Sequence, residues 1–216
     1  MRGNLLMLGG LVAAFSPTAS GAIVEFTFTG YVSYVDFSGG LFAGHVFENV
    51  AVGDSFEFRF RFESTTPDGD PDSLVGSYGP LEYAGITVES AVYEFAMPLG
   101  QIEIVNDPGF LDAFRVQLSE GPAAGGDIFD TVMNLENLTD TAFANDSLPT
   151  DLDFGAFDVA YSEMSLQIGD ESDLDRFEAE LTGFRAVTLP TPNAILLAGL
   201  ALPLAAWLRR AENKKR

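Results

Sequence analysis

An antiparallel all-β fold, a β-sandwich or its jelly-roll form, is the fold class that this 216-residue sequence predicts, flanked by an N-terminal signal peptide and a C-terminal transmembrane helix. Three observations predict it. Apolar and polar residues alternate with period two through most of the chain, clusters of Gly, Pro, Asp and Asn interrupt that alternation, and no amphipathic helix stands between the two ends.

The chain opens with Met1 and Arg2, an apolar stretch over residues 5–15, and the small residues Ser20-Gly21-Ala22. That order is a secretory signal peptide, residues 1–22, with cleavage after Ala22. Residues 23–188 then form one domain, long enough to bury a real core.

The alternation is plainest over residues 54–63. Phe56, Phe58, Phe60 and Phe62 point to one face, and Glu57, Arg59, Arg61 and Glu63 to the other, as in a half-buried strand. Residues 23–35 and 176–187 repeat the pattern. Further strands are expected over 85–97, 101–105, 113–118, 128–135 and 157–168. Turn clusters separate them at 38–40, 66–72, 106–109, 120–127 and 145–153. No repeat of fixed period is present, which argues against a solenoid or propeller.

The domain carries five arginines, no lysine and 31 carboxylates, a formal charge of −26. Such a field repels nucleic acid and anionic lipid, so neither is a partner class. There is no cysteine, and therefore no disulfide and no thiolate chemistry.

Residues 194–208 are uncharged and apolar, and Arg209, Arg210, Lys214, Lys215 and Arg216 follow. An apolar run stopped by cations predicts a membrane segment whose basic end stays cytoplasmic, with Arg209 and Arg210 as the stop-transfer signal and Trp207 at the interface. Fifteen residues make about 22 Å of helix against a hydrocarbon core of about 30 Å. This short length predicts transient anchoring, with the domain outside the cytoplasm and then at the cell surface or beyond.

Residues 189–216 as a unit, with Pro190-Thr191-Pro192-Asn193 ahead of the apolar run and the basic end, resemble the PEP-CTERM sorting signal of exported bacterial proteins, in a Pro-Thr-Pro variant. The resemblance implies an exosortase-like processing enzyme as partner and Pro190, Thr191, Pro192 and Asn193 as the sorting motif. Ala51-Val52-Gly53-Asp54, Ser64-Thr65-Thr66-Pro67-Asp68 and Ile104-Val105-Asn106-Asp107 are also similar to the bodies of many such proteins. The resemblance implies no reaction.

Asp68, Asp70 and Asp72 lie two apart in a turn, a spacing that can bring oxygens onto Ca²⁺. Pro71 lies inside that turn and Gly79 occupies the place of the bidentate glutamate, so it reads as a solvated acidic loop. Asp170, Glu171, Asp173 and Asp175 read the same way. His45, the only histidine, cannot build a His-rich zinc site and reads as a strand residue. No Gly-x-Ser-x-Gly turn is present. Glu178 and Glu180 share a strand face about 7 Å apart, a spacing open to glycosidase chemistry. Tyr31, Tyr34, Tyr78, Tyr83, Tyr93 and Tyr161 could stack on a saccharide.

The expectation is thus an exported, non-catalytic surface or extracellular-matrix protein, with no catalytic residue, metal or cofactor, and an extracellular polysaccharide as a candidate partner. A carbohydrate-binding or calcium-dependent adhesion module is the alternative, and a glycoside hydrolase the next.

Overall fold

A computed structural model describes residues 21–95, 99–120, 129–170 and 173–189. Ten strands follow one another: β1 Ile23–Asp36, β2 Ser55–Glu63, β3 Val75–Tyr78, β4 Tyr83–Val88, β5 Ala91–Glu94, β6 Leu99–Asp107, β7 Leu111–Glu120, β8 Phe129–Asn137, β9 Glu163–Asp170 and β10 Asp173–Leu189. Two 3-10 turns, Phe154–Ala156 and Val159–Tyr161, precede β9.

All strands belong to one antiparallel sheet, in the order β3-β6-β7-β8-β9-β10-β1-β2-β4-β5. The predicted sandwich of two sheets is therefore corrected to a single open sheet. Alternation fixes which face of a strand is buried, but not whether the ladder breaks between neighbours. Here it stays continuous and bends. β1 and β10 are 14 and 17 residues long, and their pairing shifts register at Thr29/Gly30 and Val32/Tyr34, irregularities that bend a strand and raise its twist. Gly30 stands at the first shift because a Cβ there would overlap the backbone carbonyl of Glu180.

The bent sheet packs its apolar face against itself. Phe114 of β7 stands 5.9 Å from Phe26 and 6.4 Å from Phe60, centroid to centroid, although β7 is several strands removed from both in the ladder. Phe26 also meets Phe62 edge-on at 5.0 Å. Phe26, Phe28, Phe58, Phe60, Phe114 and Phe177 are each 0% exposed. At about 1.5–3 kcal/mol per buried large side chain, this aromatic centre is a principal source of stability.

The two ends of the sheet lie close to each other. β3 is a terminal strand and β4 belongs to the opposite end, yet only four residues join them, a link that reaches at most about 18 Å from Tyr78 to Tyr83. A seam is left there, spanned by the cis Gly79-Pro80 peptide.

The strand expected over 85–97 is two strands, because Glu89 turns the chain with φ 51° and lets β5 fold back on β4. The stretch 157–168 becomes a 3-10 turn followed by β9. β3 has no counterpart among the expected strands.

Among the described residues no helix is long and apolar enough to cross a membrane. The apolar residues there alternate along strands and face the core. The expected transmembrane helix, and with it the membrane as a partner and a membrane-anchored location, is not found among the described residues. Residues 194–208, the sorting motif Pro190 to Asn193, Arg209 and Arg210, and residues 1–20 lie outside the described residues.

Candidate functional site

The outer face of β1, β10 and β9 gathers most of the polar chemistry that the sequence singles out. On β1 the register shift at Ser33 places Tyr31 opposite Glu180 and Tyr34 opposite Glu178, both pairs facing outward. Without that extra residue, strict alternation would turn one tyrosine into the core. Both rings are 39% exposed.

Glu180 in turn stands opposite Glu163 of β9. Cβ atoms of directly opposed residues lie about 4.5–5.5 Å apart, so two carboxylates meet where like charges are unfavourable. Hydrogen bonding with Glu180, a little desolvation and the carboxylate charge together raise the Tyr31 phenol above its ordinary value. Arg176 answers the charge further along, 3.6 Å from Glu178 and with its guanidinium carbon 5.1 Å from the Tyr34 ring centre. Asp36 accepts from the backbone N–H of Ser38, and the Ser38 hydrogen bonds hold its carboxyl below the ordinary range.

A cleft of about 410 Å³ opens beside these side chains, lined by Ser33, Val159, Ala160, Ser162, Glu163 and Glu180. Its far wall is the 3-10 turn Val159–Tyr161, whose Tyr161 is 48% exposed. Aromatic rings beside hydroxyls and carboxylates can stack on a sugar ring and accept hydrogen bonds from its hydroxyls.

The structure does not bring the other candidates together. Asp68 Oδ1 accepts from the N–H groups of Asp70 and Ser77, both at 2.9 Å; Asp70 Oδ1 accepts from Asp72 at 2.8 Å, and Asp72 Oδ1 from Leu74 at 3.0 Å. Each carboxylate thus shapes its own turn, and among the described residues no group of three His, Asp or Glu side chains could hold a metal ion. His45 lies in the turns between β1 and β2 rather than in a strand. Its ring packs among Phe42, Phe47 and Tyr93 at 5.4–5.6 Å.

Asp175, expected in a solvated acidic run, is 0% exposed. It accepts from Gly39, Gly40 and Phe42 and fastens the long β1–β2 connection to β10. Asp112 does the same for the connection after β8, accepting from Ala142 and Phe143 at 2.7 and 2.8 Å.

Of the remaining tyrosines, Tyr78 is buried and donates to the carbonyl of Asp146. Tyr83 lies beneath Arg59 and Arg61, 5.5 and 4.8 Å from its ring centre. The candidate that sequence reading missed is Glu163. Only the β9–β10 register places it against Glu180, and nothing in the spacing of the two residues signals that pairing.

Comparison with protein-family models, with curated proteins and with solved structures finds no match to this chain.

Proposed function

We propose that this is an exported, non-catalytic surface or extracellular-matrix protein whose β-domain adheres to polysaccharide through the outer face of β1, β10 and β9. The observation that carries the adhesive reading is the cleft bounded by Glu163 and Glu180 with the exposed Tyr31 and Tyr34 beside it. Stacking surface and hydrogen-bonding groups lie together there, as saccharide recognition requires. The export reading rests on residues 1–22 and on the Pro190-Thr191-Pro192-Asn193 motif, which we assign to an exosortase-like processing enzyme.

A pull-down on insoluble β-glucan and chitin tests adhesion: wild-type protein is retained and the Tyr31→Ala/Tyr34→Ala variant is not. Retention of both on equal terms, or of neither, contradicts the assignment. Intact mass of the protein recovered outside the cell tests export, with a chain beginning at Ile23 and ending near Pro192 expected.

One observation favours a second reading, glycoside hydrolysis: Glu163 and Glu180 stand directly opposite each other across β9 and β10, and glycosidases work with a pair of carboxyl groups. Against it, Glu163 is exposed, whereas a general-acid carboxyl is kept in an apolar pocket. Release of reducing sugar from the same glucans, abolished by Glu180→Gln, would decide for the hydrolase.

A further inference from the structure

A cleft of about 650 Å³ lies at the seam between the two ends of the sheet. Its polar lining is mostly neutral: Ser77, Gln101, Gln117 and Ser119 supply hydroxyls and amides, and among the described residues Asp68 is its single charged group. Asp68 Oδ1 is already engaged by two backbone N–H groups.

Strand register connects this cleft to the tyrosine face. Gln101 stands opposite Gln117, Gln117 opposite Val132, Val132 opposite Ser165, Ser165 opposite Glu178 and Glu178 opposite Tyr34. The six therefore form one row across β6, β7, β8, β9, β10 and β1, perpendicular to the strands. In β6 to β10 the residues flanking the row are buried, and in β1, where the register shift interrupts the alternation, Tyr34 is itself exposed, so the row faces outward. Gln101, Gln117 and Val132, with the ion pair of Glu103 and Arg115 at 2.9 Å, also line a third depression of about 240 Å³, so the surface is hollowed along the way and not only at its ends.

Five steps of about 4.8 Å give a path of about 24 Å, curved by the sheet's twist. A β-linked pyranose chain in extended form advances by about one strand spacing per unit, so successive sugars would meet successive strands. The chemistry along the path suits a neutral chain. Glutamine amides both donate and accept, Val132 offers an apolar patch to a sugar face, and the row's one carboxylate, Glu178, is answered by Arg176. A polyanion would meet the domain's negative field.

We infer that the row from Gln101 to Tyr34 is a single extended site for a linear, neutral, β-linked glycan of about five or six units, running from the seam cleft to the tyrosine cleft. The inference rests on the saccharide reading of the tyrosine face and adds length, direction and charge to it.

The test is calorimetric titration of the purified full chain with β-1,4- and β-1,3-linked gluco-oligosaccharides of two to six units, and with polygalacturonate as the anionic control. Affinity should rise about tenfold or more between two and six units. Gln101→Ala/Gln117→Ala should lower six-unit affinity about tenfold while leaving two-unit binding unchanged, because only the longer chain reaches β6 and β7. Both glutamines are exposed, so the variant tests binding apart from folding. Equal affinity at two and six units overturns the extended site and leaves the tyrosine site standing. Preference for polygalacturonate overturns the neutral assignment. Failure of every oligosaccharide to bind overturns both.

Discussion

Asp175 Oδ2 accepts the backbone N–H of Phe42 at 2.9 Å, and with that bond a buried carboxylate on the last strand holds the connection that follows the first. Its other oxygen takes Gly39 and Gly40 at 2.7 and 3.0 Å. Phe42 and Phe47 are thereby laid against Phe177, at 6.3 and 5.4 Å between ring centres. A carboxylate can be buried at this position because three donors replace its water.

Asp175→Ala removes the acceptor shared by three N–H groups; the buried Phe42 N–H loses its partner, while Gly40 keeps the Phe37 carbonyl at 3.3 Å. The cost should be at least about 3 kcal/mol, since hydrogen bonds to a charged group contribute about 1.5–3 kcal/mol each. Urea denaturation measures it, and limited proteolysis should cut residues 37–54 in the variant first. Unchanged stability would mean that the connection is held by its phenylalanines alone.

Thr131 is 0% exposed and its hydroxyl has no hydrogen-bond partner among the described residues, with Leu118 and Leu166 as its cross-strand neighbours. Thr131→Val keeps the shape and removes the unsatisfied group. It should stabilise the domain by about 1 kcal/mol, read as a raised Tm.

Gly30 marks the close approach of β1 to β10. Gly30→Ala sets a Cβ against the Glu180 carbonyl and should cost about 1–3 kcal/mol, comparable to overpacking a core. Because Tyr31 follows immediately, the same variant should weaken saccharide binding more than its loss of stability explains. Amide chemical shifts of residues 29–34 would report the displaced register.

Stability should fall at both ends of the pH scale, for opposite reasons. Glu89 is held below its ordinary 4.5 by the Ser55 backbone bond, and Asp36 below 3.8 by Ser38. A lowered carboxyl stabilises the fold above its unfolded value, and that contribution is lost as pH falls through the folded one. Tyr78 and Tyr83 are raised above 10.0, chiefly by burial. Their neutral forms favour the fold below 10.0, and the contribution is lost as pH rises through the raised values. A Tm profile should therefore decline below about pH 4.5 and above about pH 10. Tyr78→Phe should flatten the alkaline limb.

Much of the strand content was legible in the sequence because the alternation in β1, β2 and β10 is long and aromatic. Phe56, Phe58, Phe60 and Phe62 face inward as their spacing predicts. The sheet's continuity was not legible, since alternation assigns a face to each strand and leaves its neighbours open. β3 escaped notice because four residues, one of them Gly76, carry too little pattern, and the turn at Glu89 uses a residue with no turn signature. Asp175 looks in sequence like its solvated neighbours. Only the loop folding over it reveals a buried clamp. The site was legible in its tyrosines and in Glu180, which stand on one strand each, and hidden in Glu163, which needed the register.

The most direct test of the account is affinity electrophoresis of the purified protein through gels containing soluble β-1,3- or β-1,4-linked glucan, with the Tyr31→Ala/Tyr34→Ala variant run beside it and the Tm of both recorded. One of the glucans should retard the wild type, and the variant, with Tm within a few degrees, should migrate as in a plain gel. Unretarded wild type in both gels, or retardation that survives loss of both tyrosines, would contradict it.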